Sequence, residues 1–518
     1  MQKKLLIYSL VLLNTLSVKS LAIEYQRHPS AVHFAYKSLP SNSLKELLAF
    51  SVLYPETQQG QASIREVLSL LMEPNLISYE QIHKASAAAP DLIRLSKALP
   101  GSFNSCSEEA LEIIENASGH LLNRRLAGYG ITELTLAQRM APDQIDLARA
   151  LLLAEMGSSP ETLQHVRCYE AALDWMALQI LLQLGPHATH EQMINAINAY
   201  LFQVLHYRFP AYRKYAKQIQ NYSLLGKVIE ARQGVCLGVS LLFACLAQRV
   251  GLPLQIITPP GHIFLRYETA QGYRNIETTA GGIHLEDENY LGIELEELPR
   301  RTVKETIGLA HLNTGSTYWQ NGDYDKALEE YAKAKTYMGD DPLLQCFTGF
   351  CLCLSGRIEE GKKNLMRIRN SNHPLMHQTK MIAADFLDGR TDVEALKLVY
   401  VEVDKVRTEQ EKHCNELMVM MERCPQFRAG WMKLAMTWMD MQREDKAIEA
   451  IEKSHQVDPN DLSVEYFLAQ LSLSRQDYIQ AWKYLLNAEK LAEKRVKPFK
   501  PLKQLRSQLS SCCAIPEN

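Results

Sequence analysis

From about residue 300 onward the chain repeats itself with a period of 34 residues. Gly349 and Gly356 stand one period after Gly315 and Gly322, and Tyr318, Ala327, Tyr331 and Ala334 fill the first unit. A period of that length holds two helices and their turns. One such hairpin cannot bury its apolar face alone, so it must stack on a copy of itself. Small residues let the two helices approach closely, and aromatics fill the gap between them. A second unit follows at 342–375. A later pair begins near 428, where Trp431, Leu434, Trp438, Ala447 and Pro459 mark one unit and Ala469, Ala481 and Ala488 the next. The stretch 376–427 keeps helical spacing but loses the markers. The C-terminal part of the chain is thereby committed to a helical array.

Upstream of the array, Cys236, His262 and Glu277 stand in an order and in settings that suit a cysteine nucleophile with two helpers. A thiolate must be formed, exposed and oriented before it attacks a carbonyl carbon. Residues 236–250 are apolar and nearly unbroken, with Gly234 just before them and Gly251 and Pro253 just after. That punctuation predicts a helix opened by Cys236. Unpaired N–H groups and the positive end of the helix dipole there favour a thiolate, and the same N–H groups suit an oxyanion. Leu254 to Thr258 and Ile263 to Tyr267 read as short strands joined by a Pro-Pro-Gly turn. Alternation puts His262, Phe264 and Arg266 on one face and Ile263, Leu265 and Tyr267 on the other. Glu277 follows on the next strand, where a carboxylate would hold the imidazole tautomer. Read singly, each residue has a plainer role: a buried thiol, a turn histidine, a solvated strand charge. Cys245, in the same helix, is expected to be core.

The segment GVCLGVSLLFACLAQRVGLP (234–253) resembles the nucleophile helix of the transglutaminase-like superfamily. A Gly-x-Cys opens that helix and an Arg-x-Gly-Leu-Pro tail closes it, here Arg249, Gly251, Leu252 and Pro253. His262 and Glu277 match the family's later histidine and acid, the acid more often being Asp. NYSLLGKVIEARQG (221–234) and PPGHIFLRY (259–267) resemble a narrower, SirB-like branch, in which a helical segment precedes the core and tetratricopeptide repeats follow. The repeat markers described above are similar to the same tetratricopeptide pattern. Many members of that branch carry proline where this chain has Cys236 and are regarded as non-catalytic. The resemblance therefore implies a small papain-like α+β core that is either active or silent.

The N-terminus carries an address. Lys3 and Lys4 precede an apolar run from Leu5 to Leu13 that weakens through Val18, and Ser20-Leu21-Ala22 offers small residues for cleavage. That pattern predicts a signal peptide over 1–22 and an exported chain, periplasmic or secreted; if the run is not a signal, the chain is cytoplasmic. The run is too short and interrupted for a membrane span, so none is expected after cleavage. Residues 23–189 read as a helical domain, with apolar positions at helical spacing in 44–55, 63–72, 108–128 and 135–157. Eleven scattered cysteines give no disulfide framework, and Cys106 and Cys168 read as packing residues. Cys351-x-Cys353 lacks the second pair a zinc site needs, and no cofactor or metal is expected.

At 518 residues the chain has room for about three domains. A net charge of −3 offers no basic field for nucleic acid. The last segment, 496–518 with Lys497, Lys500, Lys503 and Arg506, is basic and reads as a capping helix with a tail. The expected organisation is a mostly helical α+β chain. It runs as a signal peptide (1–22), a helical domain (23–189), a transglutaminase-like core (190–300), repeats (301–375 and 428–495) flanking degenerate helices (376–427), and the basic tail. Two functions fit it. One is thiol acyl transfer on an amide or peptide bond by Cys236, His262 and Glu277, ending in hydrolysis or cross-linking. The other is a silent core in a scaffold whose repeat array holds a protein or peptide partner.

Overall fold

Ser159 and Pro160 set the start of a 22-residue helix, Pro160–Leu181: the serine hydroxyl accepts from the Thr162 N–H, and proline occupies the first turn, where its missing N–H has no partner to lose. Its middle is buried on nearly all sides, from Ala171 to Leu178. The computed structural model describes residues 29–73, 77–96, 106–185, 187–210, 219–291, 297–370, 377–404, 406–493 and 499–515. The expected signal segment, 1–22, lies outside them. Two compact units result: one from residues up to 209, 221–255 and 264–283, the other from 210–220, 256–263 and 284 onward. Among the described residues no helix is long and apolar enough to cross a membrane.

In the first unit the helical reading of the N-terminal region holds in outline, with breaks where polar side chains intervene. The pattern over 108–128 ends as a helix at Ala117, because Ser118 turns its hydroxyl back onto the Ile114 carbonyl and a 3-10 turn, Leu122–Arg125, follows. The pattern over 135–157 divides at Pro142 and at Asp146, whose carboxylate caps Leu147–Met156 through the Arg149 N–H. After the Leu225–Ala231 helix comes Cys236–Val250, closed by Gly251 in the left-handed conformation as its punctuation predicts.

Among the described residues four short strands complete the fold: β1 (Gln255–Ile257), β2 (Phe264–Thr269), β3 (Gly272–Ile276) and β4 (Arg300–Arg301). In the first unit β2 and β3 form an antiparallel hairpin with Leu265 opposite Ile276 and Thr269 opposite Gly272. Arg266 and Asn275 face each other across it. Both are buried, and the guanidinium Nε donates to the Asn275 side-chain oxygen at 2.8 Å. In the second unit β1 pairs with β4, Ile256 opposite Arg301. β2 starts at Phe264, so His262 stands in the preceding turn rather than on the strand. The turn takes the donor a ladder would need, since the His262 N–H bonds the Pro259 carbonyl at 3.0 Å.

The second unit carries the helical array as antiparallel hairpins: Val303–Gln320 with Tyr324–Met338, Pro342–Leu354 with Ile358–Arg369, Arg428–Asp440 with Glu444–Val457, and Leu462–Ser474 with Tyr478–Ala492. The close approach that the marker residues imply is literal. A Cβ on Gly315 would come within 2.5 Å of the Tyr331 ring, and Ala327 and Ala334 beside it are fully buried. The degenerate stretch holds helices of unequal length, His377–Leu387, Val393–Tyr400 and Arg407–Arg423. Unequal helices explain why no regular marker spacing survives there. The basic C-terminal segment docks as a helix, Lys500–Cys512, burying Leu502, Leu505 and Leu509. Arg506 grips Glu489 with two bonds of 2.7 and 2.6 Å, so the array ends in a cap.

Candidate functional site

Cys236 is the first residue of its helix, and its side chain is half-buried, whereas Val239 to Ala247 behind it are buried. The capping residue, Val235, has no side chain able to accept from the first-turn N–H groups. The helix start is held by neighbours instead. The Val235 N–H donates to the Tyr222 carbonyl at 2.8 Å, and a Cβ on Gly238 would lie 2.5 Å from that same oxygen and from Val228. The glycine two residues after the cysteine is thus explained by contact: only a residue without a side chain lets segment 222–228 reach the turn that carries Cys236.

The far end of this helix is fixed by charge. Arg249 is buried and its Nε donates to Asp174 at 2.8 Å, while Nη1 bonds the Cys245 carbonyl at 3.3 Å. The second Asp174 oxygen accepts from Arg124 at 2.7 Å. One buried carboxylate on the Pro160–Leu181 helix therefore bridges two guanidiniums and locks the cysteine helix along its axis. Cys245 is buried, and desolvation pushes its thiol well above the ordinary range.

Glu277 lies one residue beyond β3 and is buried. Its backbone N–H bonds the Ile283 carbonyl at 2.9 Å. Its carboxylate caps the 3-10 turn Thr278–Ala280: one oxygen accepts from the Thr279 N–H at 3.0 Å and from the Thr279 hydroxyl at 2.5 Å. A second link brings this turn to the cysteine helix. Ser240 and Thr278 share a buried hydrogen bond of 2.8 Å between their hydroxyls. Ser240 is one turn from Cys236 on the same helical face, and Thr278 adjoins Glu277. The first unit thus turns the cysteine's face toward the segment that carries the acid.

His262 falls in the second unit. It is half-buried, and its ring stacks on Tyr290 with centroids 5.8 Å apart and planes 14° from parallel. Sequence reasoning missed Ser240, Thr278 and Asp174. Among the described residues no group of three or more His, Cys, Asp or Glu is arranged to hold a metal ion.

The arrangement defines a class. Residues 167–303 match the transglutaminase-like superfamily, and residues 310–337 match the tetratricopeptide repeat. The chain carries a transglutaminase-like domain followed by tetratricopeptide repeats. The match begins inside the Pro160–Leu181 helix, so it takes in Asp174. No curated protein matches the chain. Among solved structures it is similar to MamA from Desulfovibrio magneticus RS-1, at 14% identity and a TM-score of 0.19 over 37% of this chain and 97% of that one. It is also similar to the TPR2AB domain of yeast Sti1 in its complex with pHSP90, at 14% identity and a TM-score of 0.21 over 40% and 98%. A third is a thermophilic TPR protein from Thermus thermophilus, at 15% identity and a TM-score of 0.20 over 40% and 98%.

Proposed function

We propose that the protein is an exported thiol acyltransferase acting on an amide or peptide bond, with its repeat array holding a protein or peptide partner. The observation that carries the reading is Cys236, half-buried on the first residue of a helix whose cap supplies no side-chain acceptor. The basic start and apolar run of residues 1–22 support export. In the proposed reaction the Cys236 sulfur attacks the carbonyl carbon and its proton passes to His262. The helix N–H groups hold the oxyanion. His262 returns the proton to the departing amine, leaving a thioester on Cys236. Water then gives hydrolysis, and a second amine gives cross-linking. Glu277 orients the imidazole.

A second reading, a silent core in a scaffold, has one observation in its favour. Thr279 already occupies one Glu277 oxygen twice, which is sufficient work for a structural cap. The two readings separate in an assay of the full chain on glutamine-containing peptides, with and without a primary amine. The enzyme reading predicts ammonia release or amine incorporation that falls on the order of 10⁴-fold or more in Cys236→Ala. Equal background turnover by the two proteins leaves the scaffold.

A further inference from the structure

His262 and Tyr290 both lie in the second unit, and each stands on a turn rather than within a helix or strand. Gly261 takes the left-handed conformation at φ 70°, and the His262 N–H closes the turn on the Pro259 carbonyl at 3.0 Å. Tyr290 ends the 3-10 turn Asp287–Asn289. Its N–H and that of Leu291 both bond the Asp287 carbonyl, at 2.9 and 3.0 Å, and the Asn289 side chain bonds the Glu286 carbonyl at 3.0 Å. Further on, the Pro299 carbonyl accepts from the Thr258 N–H at 2.9 Å, which brings the chain back beside the histidine's turn. Backbone bonds of this kind fix where His262 sits but not the plane of its ring, because the last torsion of a histidine is soft. The Tyr290 ring lies against that plane. Both residues are half-buried, with centroids 5.8 Å apart and planes 14° from parallel, the offset stack that aromatic pairs prefer.

We infer that Tyr290 is the positioning residue of His262: its ring holds the imidazole plane and steadies the imidazolium formed when the imidazole takes up a proton. The inference rests on the acyl-transfer reading, in which that proton comes from Cys236. An aromatic face carries partial negative charge, so a cation beside it gains where a neutral ring gains less. The stack therefore favours the protonated imidazole, and with it a thiolate. A ring held in one plane also loses no time in unproductive orientations when the proton must be returned to the leaving amine. Tyr290 exerts both effects through His262. The phenol hydroxyl has no part in them, so a phenylalanine serves equally well.

Replacing the ring leaves the charges of its turn in place. Glu286 stays against the His284 ring at 3.3 Å, and Glu288 against Lys500 at 3.5 Å. A change in the titration of His262 on replacing Tyr290 therefore reports the aromatic face and not a lost charge. For a stack of this exposure the change is a fall of about half a pH unit.

The test uses the purified full chain with isotope-labelled histidine and follows the His262 ring signals by NMR across pH, with His262→Gln to identify them. The expected result is a midpoint about half a unit lower in Tyr290→Leu, which keeps the bulk without an aromatic face, and unchanged in Tyr290→Phe. Tyr290→Ala should repeat the fall; if that chain does not fold, the leucine and phenylalanine variants still decide. On glutamine-containing peptides Tyr290→Leu should lower kcat with KM unchanged, and Tyr290→Phe should restore it. An unmoved midpoint in Tyr290→Leu overturns the proposal. Equal falls in the leucine and phenylalanine variants would assign the effect to the hydroxyl, and a raised KM at unchanged kcat would make Tyr290 a substrate contact; either also overturns it. The midpoint needs no turnover, so a failure of the acyl-transfer reading, seen as equal background in Cys236→Ala, is told apart from a failure of this one.

Discussion

Ser240 and Thr278 share a buried hydrogen bond of 2.8 Å, and it ties the cysteine helix to the turn that Glu277 caps. Ser240→Ala removes one partner and leaves the Thr278 hydroxyl buried without it. A loss of about 1–3 kcal/mol is expected in urea unfolding of the first unit. Ser240→Ala combined with Thr278→Val should recover part of that loss, because the orphaned hydroxyl is gone. Strictly additive losses would mean that the two hydroxyls are not coupled.

Asp174 bridges Arg249 and Arg124 from within the Pro160–Leu181 helix. Asp174→Ala strands the fully buried Arg249 and should cost about 3–5 kcal/mol. Chemical denaturation measures it directly. A loss below about 1 kcal/mol would show that the network carries no stability, which is the behaviour of exposed ion pairs.

The two units should respond to acid in opposite directions. In the first, burial raises the Glu155 carboxyl to about 7, against the lowering effect of the Gly226 and Leu225 N–H groups that bond it. The folded value exceeds the unfolded one, so the stability from its protonated form is complete below about 4.5 and is lost as pH rises through 7. In the second, burial lowers His413 to about 4, with Lys433 adding to the effect. A neutral folded imidazole contributes stability above its unfolded value of about 6.5 and loses it as pH falls toward 4. Calorimetry from pH 8 to 4 should show Glu155→Gln flattening the first response and His413→Gln the second. Unchanged slopes in both variants would assign the pH dependence elsewhere.

The helices around these groups were legible because their signals are local. Gly251 and Pro253 announce the end of the cysteine helix, and Gly315 and Tyr331 announce a hairpin whose helices touch. The site was legible only in part. Asp174 was a readable clue, a lone acid in the apolar stretch AALDWMALQILL that must find a cation, but its partner lies 75 residues away. Ser240 was readable as a hydroxyl inside an apolar helix; its partner was not, since Thr278 is one of two adjacent threonines in a turn. The strand expected from Ile263 begins one residue later, at Phe264, and alternation does not reveal that the preceding turn has already used the His262 N–H.

The central claim is that Cys236 is a nucleophile rather than a packing residue, and its own alkylation rate tests it most directly. Iodoacetamide at neutral pH, read by peptide mass spectrometry on the full chain, compares Cys236 with Cys245 in the same helix. Cys245 is buried and its thiol is pushed up by desolvation, so it reacts only when the helix opens. The account predicts labelling of Cys236 faster by roughly a hundredfold or more, and slower labelling of Cys236 in His262→Ala, where the imidazole that would stabilise the thiolate is gone. Equal, slow labelling of both cysteines, with no effect of His262→Ala, would contradict it and leave the repeat array as the working part of the protein.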